Sequence, residues 1–159
     1  MTLNGIPLHP LVVHAAVVFA PMAALSAILF AVVPRWRWAL RWPTLVLAIA
    51  AAGSVQFAAM TGGSLKHQLG LQGTLIHNHE MWAGRLQFVS WVLAAVVVAA
   101  WWVFPVVTPV DGRSNRASRL SVLVKPLIVS LPVLAAVALV LVYLTGDAGA
   151  KAVWAANAQ

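Results

Sequence analysis

The chain contains no cysteine, so disulfides, thiolate metal sites and thiol nucleophiles are excluded. Acidic residues are almost as scarce, with only Glu80, Asp111 and Asp147 in 159 residues. Asp111 falls on the opposite side from the other two in any alternating arrangement of spans, so acid/base catalysis by paired carboxylates has almost nothing to work with. There is no Gly-x-Ser-x-Gly and no phosphate loop. No His-Glu-x-x-His occurs either, since Ala83 stands where the second histidine would be. No carboxylate lies in the middle of a hydrophobic run, which argues against a proton or cation path. Charged residues make up 8% of the chain, too few to cover the surface of a soluble domain of this length.

Apolar sequence fills the rest: 62% of residues are hydrophobic and the mean hydropathy is +0.92. The expected solvent is therefore lipid. Four segments, about 10–33, 43–61, 79–104 and 121–145, are each long enough to cross a hydrocarbon core of about 30 Å as a helix. The expected fold is all-α, an integral membrane four-helix bundle forming one domain over 1–159. The first segment has no basic region before it and too long an apolar run for a cleaved signal peptide, and reads as a retained span.

The net charge of +7 does not call for nucleic acid here; it reflects loop cations that meet lipid headgroups and set orientation. Arg35, Arg37 and Arg41 follow the first span, and Arg113, Arg116, Arg119 and Lys125 follow the third; the other side has Lys66, Arg85 and Lys151. Seven against three puts the arginine loops in the cytoplasm and both termini outside. Trp36, Trp38, Trp42, Trp101 and Trp102 form an inner belt, Trp82 and Trp154 an outer one, and Trp91 reads as deeper packing.

All five histidines then fall on the outer side: His9 and His14 at the head of the first span, His77 and His79 at the head of the third, and His67 in the middle loop. An imidazole among apolar neighbours, such as His14, needs a partner, because an unpaired buried polar group costs several kcal/mol. At about 100° per residue His9 and His14 point roughly 140° apart, so they do not chelate from one face. His14 and His79, on different helices, suit opposite faces of one b-type haem. His9 and His77 are second choices. Gly84 would let a planar group approach closely, and Arg85, with Lys66, could pair haem propionates or simply contact headgroups. The alternatives are copper or zinc bound by some of His9, His14, His77, His79 and Glu80, and histidines that only hydrogen-bond in a structural or assembly subunit. Gln56 and Gln87 are expected to bond across their helices for about 1 kcal/mol.

Both halves run from histidines through an arginine loop to Thr-Gly, at Met60-Thr61-Gly62-Gly63 and Leu144-Thr145-Gly146-Asp147. This reads either as two glycine helix stops or as a duplicated helical hairpin about an axis along the membrane normal, with spans one and three together.

The opening His9-Pro10-x-x-Val13-His14, the His79-Glu80 pair and the closing Thr145-Gly146-x-x-Gly149 with Val153-Trp154 resemble the bacterial four-helix membrane proteins grouped as domain-of-unknown-function family 2231. The resemblance covers nearly the whole chain. It implies a b-type cytochrome-like membrane domain binding haem b, with the family's histidines falling on His9, His14 and His79. Val153-Trp154 stands where Val-Tyr is more usual, and no histidine follows it. On this reading the chain is an electron carrier at the extracytoplasmic face of the bacterial inner membrane, alone or as a subunit of a redox complex. Its partners would be lipid, a redox protein or quinone, and a second copy of the chain.

Overall fold

In hydrocarbon every backbone N–H and C=O has to find its partner within the chain, and a continuous helix does this segment by segment. In a computed structural model of the protein, which describes residues 2–3, 6–107 and 121–154, four helices follow that rule. They are α1 (Leu8–Val32), α2 (Arg37–Leu69), α3 (Thr74–Val103) and α4 (Val124–Trp154). Each is long and apolar enough to cross a membrane. A two-residue antiparallel ladder, β1 (Thr2–Leu3) with β2 (Ile6–Pro7), precedes α1, and short 3-10 turns at Pro34–Trp36 and Ser121–Leu123 lead into α2 and α4. Asp111, Arg113, Arg116 and Arg119 lie outside the described residues.

Pro10 stands in the first turn of α1, where its missing N–H breaks no helical bond. Neither Thr-Gly is the helix stop that one of the two readings of the sequence expects. α2 runs on through Thr61-Gly62-Gly63 to Leu69, and α4 runs through Thr145-Gly146 to Trp154. A glycine inside a helix costs about 1 kcal/mol, less than leaving a helix end unpaired in lipid. α2 stops instead at Gly70, whose left-handed φ of 61° lets its N–H bond back to Lys66 O. His67 is accordingly in the last turn of α2 rather than in a loop, and His77 and His79 are both inside α3.

The helices form a ring in the order α1, α2, α3, α4, with the largest shared faces between α1 and α2 and between α3 and α4. α1 and α3 are therefore diagonal rather than adjacent. They meet across the axis at both ends of the bundle, through His9 and His79 at one and through Phe30 and Phe104 at the other, with ring centroids 5.3 Å apart in the latter pair.

The interior is built mainly from alanine (Ala23, Ala24, Ala27, Ala52, Ala100 and Ala135 are wholly buried), while Phe57, Phe88 and Val129 are largely exposed. Small residues let membrane helices approach closely, and lipid takes the bulky ones. Several polar groups inside are paired. Ser26 and Thr44 share a 2.6 Å hydroxyl bond between α1 and α2. Gln87 donates to Gln56 at 2.7 Å, as expected, and Trp91 also donates to Gln56; its ring lies against lipid rather than deep in the core. Arg37, counted among the loop cations from sequence, is buried. It donates to Phe30 O at 3.1 Å and Ala31 O at 2.9 Å and lies 4.1 Å over the Phe104 ring, closing the C-terminal end of α1.

Candidate functional site

His9 is the second residue of α1 and His79 the sixth of α3. Stepping seven residues at a time from His9 gives Ala16, Ala23 and Phe30, all buried; from His79 the same step gives Leu86, Leu93 and Ala100, also buried. Left-handed helix packing keeps a seven-residue stripe facing the bundle axis, so these two imidazoles are aimed inward by the stripes they head.

Each ring then engages the next helix in its own hairpin. His9 Nδ1–H donates to Ala58 O at 3.0 Å, with Thr61 Oγ1 at 3.4 Å. His79 Nδ1–H donates to Thr145 O at 3.1 Å. A carbonyl can only accept, so Nδ1 carries a proton in both rings, and in the neutral form of such a ring Nε2 keeps its lone pair. Four residues beyond each carbonyl is a glycine lying directly against the ring. A Cβ on Gly62 would stand 3.0 Å from His9 Cε1 and 3.1 Å from its Nδ1; one on Gly149 would stand 3.0 and 3.1 Å from the same atoms of His79. The two hairpins thus repeat one arrangement of ring, carbonyl and glycine. The centroids of the two rings are 6.4 Å apart at an interplanar angle of 74°.

This geometry corrects the internal register. Gly62 corresponds to Gly149 and Ala58 to Thr145, so pairing Thr61-Gly62 with Thr145-Gly146 is three residues out. The signal in the sequence is small-x-x-small-Gly, Ala58-Ala59-Met60-Thr61-Gly62 and Thr145-Gly146-Asp147-Ala148-Gly149, which a search for Thr-Gly passes over.

The other candidates lie elsewhere. His14 is exposed, on the stripe of Leu11, Val18 and Leu25, and its Nδ1 bonds to Pro10 O one turn back. His77 and His67 are exposed, and His77 heads the outward stripe of Gly84, Trp91 and Val98. Arg85 is exposed, with its guanidinium 4.6 Å over the Trp82 ring. Lys66 is 2.7 Å from Glu80, tying α2 to α3 beside His79. Among the described residues no group of three or more histidine or carboxylate side chains could hold one metal ion.

A family profile described as "predicted membrane protein" matches residues 5–159. The chain belongs to the DUF2231 family. No curated protein and no solved structure matches it. In this DUF2231 member the matched region takes in both histidines, both carbonyls and both glycines of the paired arrangement.

Proposed function

We propose that His9 and His79 are the axial ligands of one haem b, and that the protein is a small membrane electron carrier, alone or within a redox complex. The observation that carries this reading is the pair of inward rings with Nδ1 bonded and Nε2 free. Metal-bound histidines are commonly fixed in this way, with the other ring nitrogen donating to a carbonyl. A linear nitrogen–metal–nitrogen axis with bonds of about 2 Å separates two imidazole centroids by about 6.3 Å, against the 6.4 Å found. Among the described residues no third histidine or carboxylate joins the two rings in a group able to hold one ion, which suits a group that brings its own equatorial nitrogens better than a bare copper or zinc ion. Haem ligated on both faces supplies one-electron transfer with no open coordination position.

The residues of the chain set the orientation of that axis. Ala58 O and Thr145 O fix the tautomer and hold each ring, and Gly62 and Gly149 let α2 and α4 close behind the imidazoles. The excess of arginine at the other end of the bundle supports a cell-membrane orientation with this end outside.

The test is an absorption spectrum of protein purified in detergent after expression with ample haem. A Soret band is expected in the parent and in His14→Ala, and its loss in His9→Ala and His79→Ala at unchanged helical content. Absence of the band in the parent, or its survival in both ligand variants, overturns the proposal. If those variants lower only the unfolding midpoint and the parent holds no haem, the rings serve as staples between helices.

A further inference from the structure

On the outside of the bundle, at the histidine end, a groove of about 620 Å³ runs between α3 and α4. It is lined by Trp82, Gly84, Arg85 and Phe88 of α3 and by Val137 and Leu141 of α4. Gly84 has open space where a Cβ would be, so the helix surface is notched there. Arg85 is one turn nearer the membrane edge than Phe88, roughly 4.5 Å along the axis at 1.5 Å per residue. The groove therefore passes from a cation beside an interfacial tryptophan into purely apolar walls.

Among the described residues no carboxylate is paired with Arg85. Among the described residues the ion pairs are Lys66–Glu80 and Lys151–Asp147. The third carboxylate in the sequence, Asp111, follows the far end of α3. The Arg85 guanidinium lies 4.6 Å over the Trp82 ring, and a guanidinium can receive a phosphate through two parallel hydrogen bonds.

We propose that this groove holds one anionic phospholipid from the surrounding bilayer, with its phosphate on Arg85 and an acyl chain along Gly84, Phe88, Val137 and Leu141. Negative headgroup charge complements Arg85, and a methylene chain fits the notch and the apolar lining. Neither feature needs the histidine pair to be occupied.

Native mass spectrometry of the full chain in detergent tests this, using phosphatidylglycerol and phosphatidylcholine of identical acyl chains in equal amounts. One phosphatidylglycerol should be retained about tenfold more strongly than phosphatidylcholine, about 1.4 kcal/mol, because the choline ammonium offsets the phosphate charge that Arg85 would meet. Arg85→Ala should bring the two lipids within about twofold, while Arg35→Ala, at the other end of the bundle, should leave the preference intact. Gly84→Leu, at an exposed helical position, should reduce retention of both lipids by filling the notch. Equal retention of the two lipids by the parent, an undiminished preference in Arg85→Ala, or unchanged binding in Gly84→Leu overturns the proposal.

Discussion

The chain carries two neighbouring pairs of helical glycines that respond oppositely to the same substitution. A Cβ added at Gly63 or Gly146 would meet nothing within 4 Å, whereas one added at Gly62 or Gly149 would meet a histidine ring at 3.0 Å. Alanine at Gly63 or Gly146 gains helix propensity with no steric term, and should stabilise the protein by about 0.5–1 kcal/mol. Alanine at Gly62 or Gly149 gains the same propensity but forces the ring back by a few tenths of an ångström. The 3.0 or 3.1 Å Nδ1–carbonyl bond lengthens or breaks at about 1 kcal/mol, and overpacking adds about 1–3 kcal/mol. The balance is a net loss of about 1–3 kcal/mol. Unfolding in mixed micelles, with increasing dodecyl sulfate and helicity followed by circular dichroism, measures all four variants on one scale. Because the two ring centroids are only 6.4 Å apart, Gly62→Ala and Gly149→Ala should combine non-additively. If Gly62→Ala is as stabilising as Gly63→Ala, the imidazole is not seated on α2 and the site as described is wrong.

Two further outcomes follow from buried polar contacts. Arg37→Leu should cost about 2–4 kcal/mol in the same unfolding assay, because two carbonyls near the end of α1 lose a charged donor; Arg37→Lys should not restore it, since one ammonium cannot both bridge Phe30 O and Ala31 O and lie over Phe104. An Arg37→Lys variant as stable as the parent refutes the reading. Ser26→Ala and Thr44→Val should each cost about 1 kcal/mol, whereas the double variant should cost no more than either, as neither hydroxyl is then left without the other; strict additivity would show that the 2.6 Å contact contributes nothing.

The four helices were legible because lipid leaves the backbone few choices, and apolar length alone reports the spans. Their ends were not. Gly62 and Gly146 look like stops by local preference, yet one of these glycines serves an imidazole and the helices continue past both. Which face of a helix points inward was harder still, since every side is apolar and the alternation of polar with apolar is missing. Residue size carries that information instead: His9 heads a stripe of Ala16, Ala23 and Phe30, while His14 shares its stripe with Leu11, Val18 and Leu25. The roughly 140° between the two rings was readable, but not which of them faced the axis. The glycines were beyond reach for another reason, because their partners are 53 and 70 residues away along the chain, His9 from Gly62 and His79 from Gly149.

Each hairpin contributes one imidazole, one carbonyl and one glycine to the end of the bundle, and so neither half owns the centre. An undocked hairpin offers a single nitrogen, which holds a metal through one bond and releases it readily. Only when α1–α2 and α3–α4 have closed on each other do the two rings come within 6.4 Å. On the proposed reading, a metal held between the two rings would be kept only in chains whose halves have docked, which would make its capture a checkpoint on assembly.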